Sequence, residues 1–105
     1  MVFCPSIAYR GEMARAKLPE GDIRTMLADI PMWTRIGDAI ERTWTFDTYP
    51  EAIAFLVRVA FLAEGMSHHP DITNAWTRVK LSLTTHDAGG LTERDFKLAT
   101  KIDAL

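Results

Sequence analysis

Apolar residues recur along this chain with two different periods. Over residues 20–30, Ile23, Met26, Leu27 and Ile30 fall three and four positions apart, which predicts one face of an amphipathic helix that Pro31 ends. Over residues 39–46 the period shortens to two. Ile40, Trp44 and Phe46 share one side of an extended segment and Glu41, Thr43 and Thr45 the other, which predicts a strand with one buried face. Thr48 and Glu51 then form a T-x-x-E capping box that opens a helix expected to run to about Met66. Within it Ala52, Phe55, Leu56, Val59, Leu62 and Ala63 make one apolar face, while Ile53, Val57, Ala60 and Phe61 make much of the rest apolar as well. One sheet covers only one side of a helix, so the second side is expected to be covered by another subunit.

Residues 72–76 and 79–85 read as two short strands; in the second, Val79, Leu81 and Leu83 alternate with Lys80, Ser82 and Thr84, and His86 continues the polar side. Gly89 and Gly90 break the pattern. Thr92 with Asp95 makes a second capping signature, Leu91 and Phe96 are spaced as a hydrophobic staple, and a last helix is expected to reach about Ala104. Helix, strand, helix, two strands and helix, with no repeats, predict an α+β domain whose antiparallel sheet carries helices on one face. Residues 1–19 lack sustained periodicity, and Pro5, Gly11 and Pro19 interrupt them; they are expected to be an irregular lead-in to a single domain over 20–105.

Composition narrows the function classes. With 105 residues, 12 Lys plus Arg and 14 Asp plus Glu, the chain has room for one compact domain and no positive excess to neutralise a run of phosphates, so nucleic acid is not an expected partner. The one cysteine, Cys4, excludes an intrachain disulfide framework and a multi-cysteine zinc site. The longest mostly apolar stretch, residues 52–63, contains Arg58 and is too short to cross a bilayer, and no signal-peptide core opens the chain. A soluble, cytoplasmic protein with no membrane partner is the resulting expectation.

All three histidines lie between positions 68 and 86, amid the carboxylates Glu64, Asp71, Asp87 and Asp95. Imidazole gives and takes protons near neutral pH, and two rings can divide the roles of acid and base. His68 and His69 follow the expected end of the long helix, and Pro70 holds His69 extended. Asp95 has a structural role as the third residue of a capped helix, yet it shares a face with Leu98, Ala99 and Ile102 and can point inward to orient His86 or another ring nitrogen. Trp33 and Trp76 are either core or interface residues or flat walls for a ring-shaped substrate. No H-E-x-x-H spacing supports a metal, Ser67 and Ser82 lack a G-x-S-x-G context, and no G-x-x-x-x-G-K accompanies Gly89 and Gly90.

At these residues the chain resembles the pterin-4a-carbinolamine dehydratase family, whose pattern is read here as Glu64, His68-His69-Pro70, Trp76, His86 and Asp95. The resemblance spans roughly residues 20–105. It implies an α-β-β-α-β-β-α subunit with a four-stranded antiparallel sheet, which adds a short strand near residues 33–37 that periodicity does not reveal. It also implies a homodimer or homotetramer, and dehydration of a 4a-hydroxytetrahydropterin to the quinonoid dihydropterin, recycling a tetrahydrobiopterin-type cofactor, without a metal or cofactor of its own. Carried over by position, His68, His69 and His86 are the active-site histidines. Residues 68–70 and Thr85, His86, Asp87 and Ala88 contact the pterin. For that chemistry His68 and His86 are expected to be the acid–base pair, His69 to position the ring, Glu64 or Asp95 to fix a tautomer, and Trp33 and Trp76 to flank the pterin. Some proteins resembling the family instead serve as dimerisation or assembly cofactors for a partner protein, which is the alternative function.

Overall fold

The computed structural model describes residues 16–105. Most of the expected lead-in, with Cys4, lies outside the described residues. The element order is α1 (Glu20–Ala28), β1 (Thr34–Ile36), β2 (Ala39–Thr45), α2 (Tyr49–Met66), β3 (Asp71–Ala75), β4 (Arg78–Leu83), a 3-10 turn (His86–Ala88) and α3 (Glu93–Asp103). The strands form one antiparallel sheet in the order β1-β2-β4-β3.

Each boundary has a local cause. α1 ends at Ala28, two residues before the apolar pattern stops, because Pro31 disfavours a helical conformation at Ile30; Ile30 is still buried, in the turn that follows. α2 starts where expected. The Thr48 hydroxyl accepts from the Glu51 N–H at 3.3 Å and donates to the Glu51 carboxylate at 2.9 Å, and Pro50 sits in the first turn, where no N–H partner is needed. β1 is three residues long with largely exposed side chains, too short for a period to register.

The core lies between the sheet and the helices. β4 is flanked on both sides, and its Val79, Leu81 and Leu83 have no exposed surface, each burial contributing roughly 1.5–3 kcal/mol. α2 lays Ala52, Phe55, Val59 and Ala63 against them, and α3 adds Phe96, Leu98, Ala99 and Ile102. Phe55 meets Trp44 and Phe46 at ring-centroid distances of 4.9 and 5.1 Å. Arg42 interrupts this face. It lies between Ile40 and Trp44 on the same side of β2, with its guanidinium 4.6 Å from the Trp44 ring centroid and 2.6 Å from Asp103 at the end of α3. The other side of α2 stays open among the described residues: Ile53, Val57 and Phe61 are exposed.

Candidate active site

The site grows where two helix ends meet. α2 stops because Ser67 takes a left-handed conformation, φ 51°, and turns its N–H back to the carbonyls of Ala63 and Glu64. Arg94, in the first turn of α3, donates to the carbonyl oxygens of Ser67 and Met66 at 2.8 and 3.2 Å. It thereby satisfies carbonyls that a helix end otherwise leaves without partners and ties the exit of α2 to the start of α3. That start is a capping box. The Thr92 N–H donates to Asp95 Oδ2 at 2.9 Å, and the Arg94 N–H donates to Thr92 Oγ1 at 3.3 Å. Leu91 and Phe96 are both buried beside it, as the staple spacing anticipated.

Asp95 has both of the roles open to it. Its side chain is fully buried, and while Oδ2 serves the cap, Oδ1 lies 2.6 Å from Nε2 of His68, whose ring is 8% exposed. The carboxylate therefore orients His68 rather than His86. Oδ2 accepts a second hydrogen bond, from the Thr85 hydroxyl at 2.8 Å, and Thr85 is in turn 2.8 Å from the Thr92 hydroxyl. Thr92 and Arg94 have no part in the sequence pattern of histidines and carboxylates; the T-x-x-D spacing marked Thr92 as a cap, but nothing marked its contact with Thr85.

His69 is handled differently. Its Nε2 lies 2.8 Å from Glu64 Oε1 one turn back on α2, and the two side chains are 65% and 81% exposed. Pro70 is half-buried and β3 begins directly after it. His86 reaches the same end of the sheet by another route. Asp71 pairs with Ser82, so the start of β3 lies beside the end of β4. A bridge between Thr85 and Gly90 closes the loop that carries the His86–Ala88 turn. Gly89 has φ 74°, a conformation side-chain-bearing residues disfavour. His86 and Asp87 are exposed and Ala88 is half-buried. Thus residues 64, 68–70, 85–88 and 95 share one end of the β3–β4 hairpin.

Neither tryptophan joins them. Trp33 is 4% exposed, packs edge-on against Trp44 and donates its indole N–H to Asp103 at 2.9 Å, so it has no free ring face for a ligand. Trp76 occupies the turn between β3 and β4 with φ 55° and is exposed, 6.2 Å from the Tyr49 ring. It lies five extended positions beyond Asp71, roughly 17 Å of strand, which puts it at the opposite end of the hairpin. Within this subunit the two rings therefore do not flank the histidines, unlike the arrangement expected of them. Thr85, carried over as a ligand contact, is buried with its hydroxyl committed to Asp95 and Thr92.

A cleft of about 500 Å³ lies elsewhere, lined among others by Arg42, Trp44, Phe46, Arg58 and Asp103. It is large enough for a small ligand, but it contains no histidine, and its Arg42 is already paired with Asp103. Proton chemistry favours the histidine end. Among the described residues no group of three or more His, Cys, Asp or Glu side chains is placed to hold a metal ion, and no helix is long and apolar enough to cross a membrane.

The α+β fold of this subunit has known counterparts. A transcriptional coactivator/pterin dehydratase from Brucella melitensis superposes with a TM-score of 0.80 at 34% identity, over 84% of this chain and 96% of that one. A pterin dehydratase-like protein identified as a RuBisCO assembly factor in the alpha-carboxysome gives 0.57 at 26% identity, over 69% and 83%. A relative from Roseiflexus sp. (strain RS-1) that carries the name pterin-4-alpha-carbinolamine dehydratase is 54% identical over 89 residues, 85% of this chain and 96% of its own. Residues 16–105 match the family model described as pterin 4 alpha carbinolamine dehydratase, and the chain belongs to that family.

Proposed function

We propose that this protein is a hydro-lyase that dehydrates a 4a-hydroxytetrahydropterin to the quinonoid dihydropterin, with His68 and His86 as its acid–base pair. The observation that carries this reading is the buried His68–Asp95 pair, with His86 on the turn that follows Thr85, a residue bonded to the same carboxylate. Loss of water needs one proton delivered to the departing 4a-hydroxyl and one removed from N5, as the C4a–N5 bond becomes double. Two imidazoles suffice for this exchange, and neither transfer calls for a metal or a covalent adduct. His69, held by Glu64, positions the ring, while Pro70, Asp87 and Ala88 line the pterin beside the histidines. The activity fits recycling of the pterin cofactor of aromatic amino acid hydroxylases in the cytoplasm. A second copy of the chain would cover Ile53, Val57 and Phe61 on α2.

Stopped-flow dehydration of a synthetic 4a-hydroxytetrahydropterin tests the reading. The wild type exceeds the buffer rate, and His68→Ala and His86→Ala each lose about 10²-fold or more. Near-full turnover in both variants removes the proposed pair. A partner-binding role is the second reading, supported by the assembly-factor likeness and the exposed apolar face of α2; a wild-type rate no greater than buffer favours it.

A further inference from the structure

The Thr85 and Thr92 hydroxyls stand outside the acid–base roles above, although both are buried and both belong to the network around Asp95. Counting hydrogens gives that network a direction. Thr85 has one hydroxyl hydrogen, and it goes to Asp95 Oδ2 at 2.8 Å. Its oxygen then accepts in the 2.8 Å contact with Thr92, so Thr92 is the donor there. The Thr92 oxygen in turn accepts from the Arg94 N–H. Oδ2 of Asp95 thus receives two donors, the Thr85 hydroxyl and the Thr92 N–H. Oδ1 is left facing Nε2 of His68 alone among the described residues.

We propose that Thr85 and Thr92 are positioning residues whose one-way hydroxyl chain fills Oδ2 of Asp95 and commits Oδ1 to the Nε2–H of His68, leaving His68 Nδ1 as the proton acceptor. The assignment of His68 as the base rests on the dehydratase reading above; the hydrogen-bond chain itself does not. A carboxylate free to rotate would hold its oxygen less squarely on the ring N–H, and the weaker hydrogen bond would bias the tautomer of His68 less. With Oδ2 held by a backbone N–H and a buried hydroxyl, the carboxylate has one orientation. In the reaction, Nδ1 takes the proton from N5, and the proton for the departing hydroxyl comes from another group, the role the dehydratase reading gives to the exposed His86.

Thr85 also anchors the turn that bears His86, but through its main chain. Its carbonyl accepts from the Ala88 N–H at 3.1 Å, and its N–H donates to the Gly90 carbonyl at 3.1 Å. Removing only the hydroxyl therefore disturbs His68 and leaves the support of His86 in place. Thr85→Val keeps the side-chain shape and deletes the donor; Thr85→Ser restores it. Thr92→Val is the less discriminating change because Thr92 also caps α3.

The test is 15N–1H NMR of the imidazole nitrogens in the free, full-length protein, read beside steady-state kinetics. The expected wild-type pattern for His68 is Nε2–H with an unprotonated Nδ1. In Thr85→Val that pattern shifts toward a tautomer mixture, kcat falls roughly 10- to 100-fold with little change in KM, His86 resonances are retained, and Thr85→Ser returns both readouts to wild type. A wild-type His68 carrying its hydrogen on Nδ1 overturns the proposal, with no variant required. So does a Thr85→Val protein whose tautomer and kcat are both unchanged. A tautomer that responds as expected in a chain without dehydratase activity upholds the hydroxyl chain and rejects the catalytic reading, so the two failures are separable.

Discussion

His68 and His69 are neighbours, each faces a carboxylate, and the two pairs have little else in common. The first is sealed: side-chain exposures are 8% for His68 and 0% for Asp95, at 2.6 Å. The second lies in solvent, with 65% for His69 and 81% for Glu64, at 2.8 Å. Separation is nearly equal, so geometry within the pair does not distinguish them; the surroundings do. Around Asp95 two further donors converge, and each donor and acceptor in that group depends on the others for its partner. Around Glu64 water substitutes for whatever is lost. The comparison teaches that one neighbour is built into the fold while the other is free to change its partners with solvent.

Removing Asp95 should break this contrast most severely. Asp95→Ala leaves the His68 ring, the Thr85 hydroxyl and the Thr92 N–H without their acceptor and is expected to cost about 3–5 kcal/mol of stability, measured by urea denaturation. A loss below about 1 kcal/mol would put the buried pair in the same class as the exposed one. Double-mutant cycles sharpen the point. The coupling of His69 with Glu64 is expected at about 0.2–1 kcal/mol and should fade with added salt, while that of His68 with Asp95 is larger and largely salt-insensitive; equal couplings with equal salt dependence would contradict the distinction. Glu64→Gln, taken alone, should leave stability within about 0.5 kcal/mol of wild type.

The smallest effect belongs to a third pair, in which Glu20 is exposed and Arg35 half-buried. The hydrogen bond from Arg35 lowers the pKa of Glu20 below its ordinary value of 4.5, with the Arg35 charge adding to the effect. A carboxylate lowered in the folded state stabilises above its unfolded pKa, and that contribution is lost as pH falls through the folded one. Melting curves of wild type and Glu20→Gln should therefore differ slightly at neutral pH and converge on acidification; a gap that widened in acid would reverse the assigned sign.

Much of this was legible before any coordinates. The capping chemistry at Thr48 and the apolar run to Met66 located α2 within a residue, and the alternation of Val79, Leu81 and Leu83 located the central strand. Asp95 was readable as a helix cap from the T-x-x-D spacing alone. β1 was not legible from periodicity, because three residues contain too little pattern. Nor was the inward turn of Arg42, since a charged residue between Ile40 and Trp44 looks like an interruption until Asp103 arrives from the far end of the chain to receive it. Trp33 and Trp76 show the same limit. Their ring chemistry suits a ligand wall, and only burial and strand register assign one to the core and the other to the far turn.

What the sequence by itself determined is whatever residues within about four positions of one another decide, namely helix faces, strand parity and caps, together with the identities, though not the pairing, of the histidines and carboxylates in the family motif. Only the tertiary structure chose which carboxylate meets which imidazole. His68 and Asp95 are 27 positions apart, and they meet because the β3–β4 hairpin returns the chain to the exit of α2 just as α3 begins. A side chain's partner at that separation is set by topology and burial, which no local spacing encodes.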